Sequence, residues 1–488
     1  MTIVEEFLNG FLTEPLSSIY AKGYDTCVAL KDYSIEHNLT AYKAYYENIL
    51  CVVNDDYSYP DNIRHINGGI YTLPGYGGIS SSHKGLTGET AIFEGSTIYS
   101  LFPFARYRKY KDISPDEKYF YPIILTNSLY FAENEYGLKC VPEKILNDVR
   151  NNKAKIIILL PSEGYTGSTL KDYKHDLVIL QNWIDDVDIP SSNVYYIGGN
   201  LLLERVAQNT PRIKFNAIGV SIFEIWNNLE LYKNIELEFK PIDTKYLYLN
   251  MNRMPRFHRM AMILKLVASG LFGTGLNSFN LIFSTFKETA YKLCNGFDKD
   301  EEEFRHLQML AETLDQYKQL NIDTDNTPNL AVNLNTSLFE RTFISLVTET
   351  LVAENCIFLT EKIWKPIIIG HPFIVLSNNN TLSVLKEYGF KTFDKWIDES
   401  YDTAINFDVK TDIIIKNLKK FNSMSISQLK NIRDEMKEVC EHNKRVFEER
   451  VKQKFYFPEQ SYGLMGGTGT GGCRPVGDIL LNIKNTWV

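Results

Sequence analysis

Hydrophobic residues in the second quarter of the chain fall into short runs separated by amphipathic stretches. Residues 155–160 are largely apolar, followed by helical spacing around Leu177 to Trp183, a second apolar run at 193–199, helical spacing around Leu201 to Ala207, and a third run at 215–220. Strands that are apolar throughout are buried on both faces, and their alternation with helices predicts a parallel sheet. The same order restarts at Lys245 with a strand, a basic turn and an amphipathic helix running to Gly270. It continues through a helix closed by Gly370, an apolar strand ending at Leu376 and a helix over 382–388. After Asp412 the spacing is helical and charged, with Ser425 or Ser427 as N-cap for a run to about Lys452.

Before Glu143 the pattern weakens. Tyr, Asn, Gly and Pro dominate, as in Asn67-Gly68-Gly69 and Pro74-Gly75-Tyr76-Gly77-Gly78, which predicts an irregular or β-containing elaboration. The expected organisation is therefore α/β, with an elaboration over 1–142, one Rossmann-like domain over 143–240, a second over 241–455 and a tail over 456–488. The tail carries a glycine-rich run at 466–472 without the lysine of a phosphate-cradling loop, and reads first as a flexible loop.

The candidate chemistry sits where a strand should give way to a helix. Open α/β sheets collect ligands at the carboxyl ends of their strands, where the next helix presents unpaired N–H groups and a positive dipole end. There Glu361 could accept from ribose hydroxyls while Lys362 neutralises a phosphate. A second island, Asn252-Arg253-Met254-Pro255-Arg256-Phe257-His258-Arg259, stacks three arginines at a helix N-terminus. Cations there oppose the helix dipole, so the arrangement makes sense if an anion is to be bound.

Glu349, the triplet Thr360-Glu361-Lys362, and Gly370-His371-Pro372-Phe373-Ile374-Val375 resemble the donor-site motif of α1,3-fucosyltransferase-like glycosyltransferases. The continuation from Leu382 to Phe393 resembles a group of phage, giant-virus and bacterial proteins with the same C-terminal half, and the likeness covers about a fifth of the chain. It implies a GT-B enzyme, two Rossmann-like domains facing across a cleft, with the second binding a nucleotide sugar and the first, with the elaboration, serving the acceptor. It assigns donor-binding roles to Glu349, Thr360, Glu361 and Lys362, and a diphosphate contact to Arg253 or Arg256, with His258 and Arg259 on the helix flank. The spacing from Glu349 to the triplet is slightly longer than in true fucosyltransferases, so the sugar stays open. The implied reaction leans towards inversion, with the nucleotide sugar as co-substrate and no cofactor.

Composition narrows the class. The chain has 488 residues, enough for two or three substantial cores, a formal net charge of −8 and 23% charged residues, with no global basic field. Seven cysteines without C-x-x-C spacing argue against a zinc ribbon or a disulfide scaffold. No apolar run is long enough to span a bilayer and no signal design opens the chain, so a cytoplasmic enzyme of bacterial or viral origin is expected.

A glycosyltransferase must stabilise a departing nucleoside diphosphate and take a proton from the acceptor hydroxyl. Of the D-x-D triplets, Asp186-Val187-Asp188 is the one near a strand, while Asp298-Lys299-Asp300 and Asp323-Thr324-Asp325 fall in a charge run and a loop. None has the flanking apolar strand of a metal site, and Arg253, Arg256 and Lys362 supply a metal-free alternative. Glu163, just after the 156–160 strand, is the first candidate for the base, ahead of Asp176, His83, Glu89 and Glu94. The acceptor is either a glycan or DNA carrying a hydroxymethylated base. For DNA, Arg106-Tyr107-Arg108-Lys109-Tyr110-Lys111 interleaves cations with aromatics, and Arg106, Arg108, Lys109 and Lys111 are the candidate contacts; an exposed amphipathic strand is the plain alternative. A nucleotide-sugar-binding or virion structural protein that keeps the fold without catalysis is the reading from another class.

Overall fold

The computed structural model describes residues 49–53, 106–124, 138, 141–160, 176–220, 246–252, 257–279, 335–350, 352, 356–454 and 474–487. The chain divides into two compact units, each an α/β layer built on a parallel sheet. Unit 1 comprises Met1–Glu230, Ala353–Phe358 and Val451–Val488, and unit 2 comprises Leu231–Val352 and Leu359–Arg450.

Unit 1 is built on a six-stranded parallel sheet. Its strands are β1 (Leu50–Val53), β2 (Arg106–Lys109), β3 (Tyr119–Ile124), β4 (Ala154–Leu160), β5 (Val194–Gly198) and β6 (Asn216–Gly219), in the spatial order β2-β1-β3-β4-β5-β6. Helices α1 (Glu143–Arg150), α2 (Asp176–Asp186) and α3 (Leu203–Gln208) connect β3 to β6 in turn. The sheet runs across the division expected at residue 142, because β1, β2 and β3 pair directly with one another and with β4. The core fills with Ile156, Ile158, Tyr119, Tyr196, Leu180 and Ile145, among others. Lys155 is the buried exception inside β4. Its ammonium donates to Asn193 Oδ1 at 2.9 Å, and burial with the nearby Lys118 charge lowers its pKa.

Unit 2 carries a four-stranded parallel sheet. Strands β7 (Tyr246–Asn252), β8 (Leu276–Phe279), β9 (Thr342–Thr348) and β10 (Phe373–Leu376) lie in the order β10-β9-β7-β8. Helix α4 (Phe257–Ala268) connects β7 to β8, α5 (Thr336–Glu340) precedes β9, and α6 (Glu361–Ile369) connects β9 to β10. From β7 the chain moves to one side and from β9 to the other, so the winding reverses between these two strands. In open sheets of this kind the carboxyl ends on either side of such a reversal border the crevice that holds ligands.

Local chemistry explains the boundaries of α6. Thr360 is its N-cap, its hydroxyl accepting from the Lys362 N–H. At the other end Gly370 sits at φ 69, with its N–H bonded to Ile367 O and that of His371 to Pro366 O at 2.8 Å. This pair of bonds is a Schellman closure, and the left-handed backbone it needs favours glycine. Trp364 anchors the helix against Phe390 and Phe447. Gly275, just before β8, leaves room for the Tyr248 ring, which a Cβ at that position would overlap.

Beyond β10 follow α7 (Thr381–Glu387), α8 (Phe407–Asn422) and α9 (Ile426–Lys454). Ser425 caps α9 through a reciprocal pair, Gln428 N–H to Ser425 Oγ and Ser425 N–H to Gln428 Oε1. The C-terminal segment, expected as a tail over 456–488, holds a further helix. This is α10 (Arg474–Asn485), which buries Leu480, Leu481 and Ile483 in unit 1. After it, the Trp487 ring packs on Phe120, and its Nε1 donates to Asn152 O at 3.0 Å. The glycine run at 466–472 lies outside the described residues.

Among the described residues, no helix is long and apolar enough to cross a membrane.

Candidate functional site

Glu349 follows the last residue of β9 directly and is fully buried. Its carboxylate takes three donors, the Thr360 hydroxyl at 2.6 Å, the Thr360 N–H at 3.2 Å and the Thr350 N–H at 3.1 Å. Burial pushes its pKa up, opposed by the Lys362 charge and the Thr360 hydroxyl bond. The carboxylate thus ties the end of a strand to the start of the next helix, eleven positions further along the chain.

Lys362 extends this network. Its ammonium reaches Thr350 Oγ1 at 3.0 Å and Thr360 Oγ1 at 3.4 Å, and pairs closely with the Glu361 carboxylate. Its side chain keeps 21% of its surface exposed. Burial acts to raise the pKa of Glu361, but the charge and hydrogen bond of Lys362, with help from Lys365, hold it below the ordinary value. An ionised carboxylate and an ammonium therefore sit together in the first turn of α6, at the crevice between β7 and β9.

The β7 side of the crevice is braced to the same place. Asn252 Nδ2 donates to Asn250 Oδ1 at 2.8 Å, and Asn252 Oδ1 receives the Thr348 hydroxyl in a short bond. From the first turn of α4, His258 Nε2 donates to Glu349 O at 2.8 Å and Arg259 Nη2 to the same oxygen at 3.1 Å. His258 and Arg259, expected on the flank of this helix, do lie on it. Both are buried, at 6% and 2% exposure, and both serve the main chain of Glu349. No local pattern announces this, since donor and acceptor are 91 and 90 residues apart.

The motif residue His371 serves packing. It is buried, with its ring nitrogens 2.9 Å from the Ser345 hydroxyl and 3.0 Å from Thr342 O. Burial and the Arg433 charge keep its pKa well below the usual histidine range.

Glu163, Arg253, Arg256, His83, Glu89, Glu94 and the D-x-D triplets at 298 and 323 lie outside the described residues, as does the side chain of Asp176. Asp186 ends α2, and Asp188 adopts φ 51 in the turn that leads to β5. That turn is at the amino edge of the sheet, away from the carboxyl ends where ligands gather, and Arg150 Nη2 and Nε cap its carbonyls at Val187 and Asp188. Among the described residues no group of three His, Cys, Asp or Glu side chains is placed to hold a metal ion. Arg106, Arg108 and Lys109 lie in β2, an edge strand of the sheet among the described residues, and Lys111 lies exposed in the 3-10 turn after it. Arg108 is paired with Glu117 at 3.1 Å.

No protein-family model matches the chain, and no curated protein matches it. Among solved structures, a mutant of T4 phage BGT in complex with UDP-glucose is similar at a TM-score of 0.33 and 9% identity, over 85% of this chain and 97% of that one.

Proposed function

We propose that the chain is a glycosyltransferase of GT-B type that moves a sugar from a nucleotide-sugar donor to an acceptor hydroxyl. Unit 2 holds the donor. The observation that carries this reading is the Lys362 ammonium at the N-terminus of α6, steadied by Thr350, Thr360 and Glu361 beside the β7–β9 crevice.

The chemistry follows from that placement. When the sugar leaves, negative charge grows on the diphosphate oxygens. An ammonium and the N–H groups of a helix start, already oriented by Thr360 and Glu349, stabilise that charge without reorganising. Glu361, kept ionised by its lysine, offers acceptor oxygens suited to the hydroxyls of a ribose. Basic groups in this role make the donor half of the reaction metal-independent. The proton of the acceptor hydroxyl goes to a carboxylate, for which Glu163 is the candidate, and attack from the side opposite the leaving group inverts the anomeric centre.

A fucosyltransferase-like donor motif is the finer form of this reading, supported by the residues from Glu349 to Val375. For the acceptor, the interleaved cations and aromatics from Arg106 to Lys111 support hydroxymethylated DNA, with Arg106 to Lys109 on an edge strand of the described sheet and Lys111 exposed in the turn after it; a glycan is the alternative.

The test is a thermal-shift series with GDP, UDP, ADP and CDP and their glucose or fucose conjugates, with and without EDTA. A ligand that binds only the native state at about 100 times its Kd adds about 2.7 kcal/mol of stability. The expected result is a rise with one nucleobase that survives EDTA. No rise with any of them overturns the donor reading and favours a fold kept without catalysis.

A further inference from the structure

We infer that Asn252, His258 and Arg259 are positioning residues for the Thr360–Lys362 triplet, acting through Thr348 and Glu349. The inference deepens the donor-site reading and rests on it.

Three side chains from the β7–α4 segment converge on two consecutive residues of β9 and its end. Asn252 closes β7 and receives the Thr348 hydroxyl, while His258 and Arg259, in the first turn of α4, donate to the carbonyl of Glu349. Two donors fill both lone pairs of that carbonyl. The peptide plane of Glu349 is thereby fixed from one side, and its carboxylate is fixed from the other by Thr350 and Thr360. The Thr360 hydroxyl that donates to Glu349 also accepts from Lys362 N at 3.4 Å and Nζ at 3.4 Å. Hydrogen bonds thus lead from α4 to the Glu349 carbonyl and, through the covalent frame of Glu349, from its carboxylate by way of Thr360 to the ammonium.

The composition of the brace argues for position over simple stability. Asn252, His258, Arg259, Thr348, Glu349 and Thr360 are all buried polar or charged groups, where apolar side chains would fill the space with less desolvation. A polar brace instead sets a direction, because each bond holds only within a narrow geometry. A shift of the Glu349 carbonyl would rotate its carboxylate and carry Thr360 and Lys362 with it.

The experiment compares His258→Phe, His258→Gln and Arg259→Lys with the parent chain in three measurements. These are the Kd for GDP and UDP by calorimetry, the urea midpoint without nucleotide, and amide hydrogen exchange at Thr350 and Thr360. Losing one bond of the path should weaken nucleotide binding about tenfold in His258→Phe and speed exchange at both amides, with a urea midpoint near that of the parent. His258→Gln, which keeps an N–H donor, should recover affinity to within about threefold. Unchanged affinity and unchanged exchange in His258→Phe overturn the inference, and if that variant does not fold, Arg259→Lys is judged by the same outcomes. If the parent binds neither nucleotide, the donor reading falls, whereas the exchange data still decide whether the brace exists.

Discussion

The Thr360 hydroxyl lies 2.6 Å from the buried Glu349 carboxyl and 3.4 Å from the Lys362 ammonium, so a single oxygen joins these two ionisable groups. It donates to the acid and accepts from the base, which a hydroxyl can do and a methyl cannot. Thr360→Ala should therefore lose both the N-cap and this link, costing about 1–2 kcal/mol of stability, while Thr360→Ser should stay close to the parent. Urea melts of the two variants decide it, and equal losses in both would rule out a role for the hydroxyl.

Lys362→Ala should remove the principal charge offered to a diphosphate. Charge-assisted hydrogen bonds contribute about 1.5–3 kcal/mol, so the Kd for the preferred nucleoside diphosphate should rise by roughly ten- to a hundredfold. Calorimetric titration reads this directly. Binding at parental affinity would move the phosphate site elsewhere.

Glu349 and Glu361 should respond to pH in opposite senses. The folded-state pKa of Glu361 lies below the ordinary 4.5, so its contribution is present above that value and fades as pH falls through the folded value. The folded-state pKa of Glu349 lies above 4.5, so its contribution is full below that value and is lost as pH rises through the folded value. Accordingly Glu361→Gln should become more destabilising, relative to the parent, as pH climbs towards 4.5. Glu349→Gln, a mimic of the protonated acid, should become less destabilising above 4.5. Stability against urea from about pH 3 to 8 gives both slopes, and slopes of the same sign would contradict the assignment.

If DNA is the acceptor, replacing Arg106, Arg108, Lys109 and Lys111 together should lower the dependence of log K on log salt by up to about 3–4, as counterion release is lost. Arg108 should contribute least, because Glu117 already occupies its guanidinium. Fluorescence anisotropy on a hydroxymethylated duplex measures it. A salt dependence equal to the parent's would remove this strand from any nucleic-acid surface.

Much of the architecture is written locally. The apolar run that forms Ala154–Leu160, the spacing that forms Asp176–Asp186, and the Thr360 cap and Gly370 stop of Glu361–Ile369 all depend on neighbours within a few residues. Short-range signals of that kind survive in the one-dimensional chain, and so does the chemistry of Thr360-Glu361-Lys362, because a helix start concentrates N–H groups wherever it occurs. Tertiary structure decided what no window contains. It placed the strands at 50–53, 106–109 and 119–124 in the same sheet as β4, turned the C-terminal Trp487 onto Phe120, and set the winding reversal between β7 and β9. It also turned His258 and Arg259 inward to a carbonyl some ninety residues away. The physical reason is that strand order and buried polar pairing are chosen by which distant groups can be satisfied together once water is excluded, and that choice exists only in the folded chain.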